Sequence, residues 1–293
     1  MTVVLFIIIL LCSMGDVVFK NIFAKGEVCT DGDNHVYNAI ACFIGAPLAL
    51  IGNRLYLPGG TTVLLSVLYG FCMAFVAIYG IRSFKTGPMS LTSIFGSFSM
   101  VIPILSGFLF WPESEPLTWM KVLGILLMFA AIWFIISPGS DGKVTKQWII
   151  NVTIYSLACG FMSLCQQAEA KVCPEETSMF LIGGYLSATL FICIDLIFCS
   201  RKPGQEVTKK FISKDNLNGL LVGVLGAFNA ICVMAILQPG RMESTVFYPL
   251  KVGTCLICNA LLSYFLFHEK LSRKQLIGFV LGTGAILVLT VFK

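Results

Sequence analysis

Long apolar runs alternate along this chain with short breaks of charged, Pro and Gly residues. Read against those breaks, the pattern predicts ten helical spans, at about 3–24, 35–57, 62–84, 88–111, 117–138, 147–170, 177–200, 216–238, 242–267 and 273–292, each near the ~20 residues a bilayer crossing needs. Little besides spans and short connectors fits in 293 residues, so no soluble domain is expected. The longest polar connector runs from about Ser200 to Asp215, and no connector carries a phosphate loop, a metal-ligand cluster or a heptad run. The segment Ser137-Pro138-Gly139-Ser140-Asp141-Gly142 stops the fifth span with Pro and Gly.

The pattern also repeats. Leu105-Ser106-Gly107-Phe108-Leu109-Phe110, Glu115-Pro116-Leu117-Thr118 and Gly124 recur in order as Leu262-Ser263-Tyr264-Phe265-Leu266-Phe267, Glu269-Lys270-Leu271-Ser272 and Gly278. Upstream, Gly70, Ala74, Phe75, Ala77, Ile78, Gly87 and Met89 find the same residue types at Gly223, Ala227, Phe228, Ala230, Ile231, Gly240 and Met242, at one constant offset. The halves are 1–140 and 146–293, each with five predicted spans. An odd number of spans per copy makes the second copy enter the membrane from the other side. The expected fold is therefore an all-α polytopic membrane protein, ten transmembrane helices in two inverted five-helix repeats.

Composition agrees with a bilayer environment: 57% of residues are hydrophobic, 12% are charged and the mean hydropathy is +0.89. The first run lacks a basic leader and a small-x-small cleavage site, and it reads as a retained first helix. Most of the twelve Cys lie inside apolar runs, where they act as small hydrophobes, and no disulfide framework is implied. Cys29 and Cys173 fall on opposite faces by span count. Cys255 and Cys258 form a CxxC inside an apolar helix with no further ligand cluster nearby. Asn151-Val152-Thr153 matches a glycosylation acceptor but lies within a span.

Lys and Arg concentrate in connectors after odd-numbered spans, as at Arg82, Lys85, Arg201 and Lys202, against Arg54, Lys121, Lys171, Arg241 and Lys293 on the other face. The positive-inside rule then puts both termini outside. Gly278-x-x-x-Gly282 in the last span lets another helix approach closely, either within one protomer or in a homodimer.

Ionisable side chains within a span cost roughly 2.5–3.5 kcal/mol each on insertion scales and mark cavities or partners. Lys251 is the main candidate, about nine residues into the ninth span and so roughly 14 Å below the membrane surface. Pro249 beside it frees a backbone carbonyl, and Tyr248 adjoins both. Asp16 is the candidate partner of Lys251, although Lys20 at i+4 would account for it locally. Asn229, Gln166 and Gln167 are possible polar contacts, each of which also serves as interhelical glue. Glu169, Lys171 and Asp195 near helix ends read as snorkelling groups, and Glu113, Glu115 and Glu269 as helix caps. No catalytic or metal-binding constellation is present in the sequence, and no enzyme activity, cofactor or nucleic-acid partner is expected.

With five spans per half, each half ending in F-L-F, a connector Glu, L-[ST] and a Gly-containing last helix, the chain resembles the drug/metabolite transporter superfamily, and within it the EamA-like permeases. The first copy departs by an insertion around Trp111-Pro112-Glu113-Ser114, so that either Glu113 or Glu115 is the counterpart of Glu269. The resemblance implies a secondary transporter in the cell membrane, with a small-metabolite substrate such as an amino acid, the lipid bilayer as surroundings, and cytoplasmic termini, contrary to the charge bias. Lys251 is then the charge facing an anionic or zwitterionic substrate, with Tyr248 and Pro249 shaping the pocket. Sugar, nucleotide-sugar or lipid-carrier translocation is one alternative, and the few Trp residues argue against stacked sugars. A non-transporting membrane scaffold is the alternative from another class.

Overall fold

The computed structural model describes residues 2–24, 30–51, 57–87, 92, 95–96, 98–113, 115–116, 118–135, 145–199, 207, 214–267 and scattered positions between 274 and 288. Its elements are α1 (Thr2–Ala24), α2 (Asp31–Leu48), α3 (Gly60–Thr86), a 3-10 turn (Phe98–Met100) running into α4 (Val101–Phe110), α5 (Trp119–Ile135), α6 (Lys146–Val172), α7 (Thr177–Cys199), α8 (Lys214–Leu237) and α9 (Ser244–Phe267). The described positions between 274 and 288 are helical as well, and no strand occurs among the described residues.

Local chemistry sets the ends that hydropathy alone misplaces. The second span was expected from residue 35, yet α2 starts at Asp31 because Thr30 and Asp33 form a capping box, with Asp33 N donating to Thr30 Oγ1 at 3.1 Å and Thr30 N to Asp33 Oδ2 at 3.2 Å. Thr145 caps α6 in the same way, accepting from Trp148 N at 3.2 Å. The expected span at 88–111 is described as helical only at 92, 95, 96 and from 98 onward. The second copy of the Glu motif, Glu269 to Ser272, and the linker Ser137 to Gly142 lie outside the described residues.

Five helices among the described residues are long and apolar enough to cross a membrane: Thr2–Ala24, Gly60–Thr86, Lys146–Val172, Thr177–Cys199 and Leu217–Leu237. Their outer faces match that environment. Leu64, Phe71, Leu186, Leu190 and Ile197 stand 45 to 60% exposed, an apolar surface suited to lipid rather than water.

Packing runs between the early and late helices. α3 lies against α6 and α7, α8 lies against α1 and α2, and α2 also packs on α7. Two glycines allow the closest approaches. A Cβ on Gly70 would collide with Ser187 Oγ and the Gly184 carbonyl of α7, and a Cβ on Gly223 with the Ala41 carbonyl of α2. Gly70 thereby brings α3 onto α7, and Gly223 brings α8 onto α2. Gly282 sits 3.5 Å, measured from an added Cβ, from Ala131 Cβ of α5, so this member of the small-residue stripe packs within the chain. Asn151 is buried in α6, donating to Thr86 Oγ1 at 3.5 Å, which removes it from glycosylation chemistry.

Candidate functional site

A cavity of about 300 Å³ lies among α1, α2, α3, α6, α7, α8 and α9. α1 contributes from Ser13 onward, α3 from Tyr69 to Phe84, α6 from Tyr155 to Gln166 and α8 from Val222 to Ala230. Since α1 and α3 line it with their C-terminal halves, the wall extends from mid-bundle toward the end where α1 gives way to α2.

Among the described residues the cavity has three charged wall residues: Asp16, Lys20 and Lys251. Asp16 and Lys20 stand one turn apart on α1, and their 2.8 Å ion pair neutralises both within a single helix. Lys251 comes from α9, two positions after the in-helix Pro249. Because α9 begins at Ser244, Lys251 sits about 10 Å along the helix axis, shallower than the sequence count gave. Among the described residues it has no hydrogen-bond or ion-pair partner, and it shares the cavity wall with Cys255, Cys159 and Asp16. Neighbouring polar groups are mostly committed: Asn229 Nδ2 donates to Ser13 Oγ at 2.6 Å, tying α8 to α1, and Gln166 Nε2 reaches Tyr69 Oη at 3.5 Å.

The opposite end of the bundle is sealed around Glu115, which lies in the α4–α5 connector and is 1% exposed. Its carboxylate accepts from Ser244 N at 3.1 Å, from Thr245 N at 2.9 Å, from the Ser244 hydroxyl and from the Lys171 ammonium. Two of those donors are unpaired N–H groups in the first turn of α9, where the helix dipole favours a negative charge. Burial alone would raise the Glu115 carboxyl. The bonds from Lys171, Ser244 and Thr245 outweigh it and hold Glu115 below the ordinary carboxylate range.

The seal continues sideways. Gln167 Nε2 donates to Ser244 Oγ at 2.5 Å, and Gln167 Oε1 accepts from Ser106 Oγ at 2.8 Å. Lys121, 2% exposed, pairs with Glu243 and donates to the Pro116 carbonyl at 3.0 Å. Thr62 donates to Glu169 at 3.0 Å, and Gly59 N to Glu176 at 2.7 Å. Every contact in this group joins segments far apart in sequence, except the one from Lys121 to Pro116.

Of the residues expected from sequence, Lys251, Asp16, Asn229 and Gln166 share the cavity wall. Tyr248 is buried outside that wall and donates to the Ser163 carbonyl at 2.9 Å, while Pro249 shapes α9 without lining the cavity. Gln167 belongs to the seal. The expected local alternative for Asp16 is realised: its ion pair is with Lys20. Glu169 and Lys171 do not snorkel; both are held in the interhelical network, because carboxylate and hydroxyl partners stand within reach inside the bundle. Glu115 caps a helix, but that helix is α9, far along the chain, rather than its own neighbour. No cluster of His, Cys, Asp and Glu able to hold a metal occurs among the described residues.

No family model matches the chain, and no curated protein matches it. One solved structure, described only as the crystal structure of a protein, superimposes with a TM-score of 0.70 over 97% of this chain and 99% of its own, at 14% sequence identity. At that identity the likeness concerns the fold alone.

Proposed function

We propose that this chain is a secondary transporter of a small solute, working by alternating access between two inverted five-helix halves in the cell membrane. The observation that carries the reading is the asymmetry of the bundle. A cavity with an unpaired cation reaches toward one end, while a buried carboxylate network closes the other. An occluding seal opposite a solute cavity is what alternating access requires, since the two ends must never open together.

The packing pattern supports the inverted repeat. Exchanging the halves turns the α3–α6 contact into α8–α1 and the α3–α7 contact into α8–α2, and both members of each pair are present. The α2–α7 contact maps onto itself. Repeat-related Gly70 and Gly223 make the close approaches of one such pair. This arrangement agrees with the EamA-like resemblance, and it would place the binding site at the interface between the halves.

The cavity volume favours a small metabolite over a lipid-linked sugar, because about 300 Å³ is at the lower bound for small-molecule sites. The test is thermal stabilisation of the purified full-length protein across amino acids, amines, sugars, nucleotides and organic acids, followed by uptake of any stabilising compound into proteoliposomes. A stabilising compound that also crosses the bilayer only with the protein present is the expected result. A folded sample that no compound stabilises or crosses would favour the scaffold reading.

A further inference from the structure

We propose that the cavity takes an organic monoanion with a compact apolar body, its acidic group held by Lys251, in preference to a zwitterion or a cation. This rests on the transporter reading of the same cavity and narrows its substrate class.

Charge carries the first step. Among the described residues the wall holds one carboxylate and two ammonium groups, so one positive charge is left uncompensated among them. The charge of that carboxylate is already balanced within α1, where Asp16 Oδ2 bonds Lys20 at 2.8 Å. An incoming ammonium would compete with Lys20 for Asp16 and otherwise meet neutral acceptors, of which the Ser13 hydroxyl already accepts from Asn229 Nδ2. An incoming carboxylate finds Lys251, with no partner among the described residues. A monoanion balances the charge of the described wall, and its attraction to Lys251 offsets desolvation that an unpaired ammonium there would leave unrepaid. A dianion would leave a negative charge in place of the positive one.

The rest of the wall fixes the other half of the solute. Met73 and Met162 offer thioethers, and Tyr155, Tyr185 and Phe84 offer ring faces. These groups solvate a flat or branched apolar body and offer a second charged group no opposite charge. The volume, about 300 Å³, suits a body of roughly ten heavy atoms.

The experiment uses four probes on one skeleton: phenylacetate, neutral phenylacetamide, cationic phenethylamine and zwitterionic phenylalanine, each titrated into the solubilised full-length protein by calorimetry. Phenylacetate is expected to bind at least about tenfold more tightly than the other three. Lys251→Gln should erase that preference, while Lys251→Arg keeps it. Asp16→Asn provides a second arm that leaves Lys251 intact. Freeing Lys20 should tighten phenylacetate and admit the dianion phenylmalonate, which the unaltered protein excludes.

The proposal is overturned if phenethylamine or phenylalanine binds as well as phenylacetate, if the preference survives Lys251→Gln in a folded variant, or if Asp16→Asn leaves anion binding unchanged. Any of those results leaves a solute-binding cavity and so spares the transporter reading. Absence of binding by all four probes also overturns the monoanion class, and the broad solute panel then decides the transporter reading separately.

Discussion

The two ends of this bundle use the same chemistry, a carboxylate near an ammonium inside apolar helices, to opposite effect. At the sealed end Glu115 gathers Lys171 from α6 and Ser244 and Thr245 from α9. At the cavity end Asp16 is satisfied by Lys20 of its own helix. A pair within one helix moves with that helix and restrains nothing else. A pair across helices fixes their separation. The cavity end has cross-helix contacts too, Arg82 with Asp31 at 3.1 Å and His35 with Asp195 at 2.7 Å, but none of them engages Lys251.

The largest expected effect comes from Glu115→Ala. Removing one partner of a buried pair strands the other, at a cost of about 3–5 kcal/mol, so the melting temperature should fall by more than in any variant of the cavity wall. A Glu115→Ala protein as stable as the parent would show that the sealed end is held by something else. Next in size are Gly70→Val and Gly223→Val. Each forces a side chain into a helix crossing and should cost about 1–3 kcal/mol in thermal or denaturant unfolding, whereas Gly284→Ala, whose added Cβ meets nothing within 4 Å, should cost much less.

Acid tests the same contrast without mutation. Because the folded state holds Glu115 below its ordinary range, its contribution is complete at neutral pH and is lost as pH falls through that lowered value. Amide exchange in the first turn of α9 should therefore accelerate in acid below the usual carboxylate range of about 4.5, while the middle of α3 stays protected. Protection of both to the same acid limit would break the assignment. The smallest effect is expected from Lys20→Gln, where an i,i+4 pair is worth about 0.2–0.5 kcal/mol, within the scatter of most unfolding measurements.

Much of the fold was legible because the bilayer dictates helix length and leaves few alternatives for an apolar run. Legibility stopped where polar residues do the work. α2 begins four residues before its apolar run, since Thr30 and Asp33 cap it with groups that a hydropathy reading counts as loop. Lys251 was legible in the site because an ammonium deep in an apolar helix has no local explanation, and Asp16 was correctly ambiguous because its i+4 neighbour supplied one. Glu115 was not legible as a seal. A carboxylate at a helix end looks the same in sequence whether it caps its own helix or one that begins 129 positions later. Gln166 and Gln167 are adjacent, yet they point to different tasks, one to the cavity and one to the seal, because neighbouring helix positions differ by about 100° around the axis.

On the proposed alternating-access reading, the Glu115 network also sets a quantitative demand on whatever drives the bundle to a second state. If the seal contributes about 3 kcal/mol to the present conformation, a solute brings the two conformations to parity only by preferring the other about 150-fold, and inverting their populations takes roughly 10⁴-fold. Tight binding that is equal in both would move nothing. Selectivity in such a protein then resides less in how firmly Lys251 grips a solute than in how much better it grips once α9 has left Glu115.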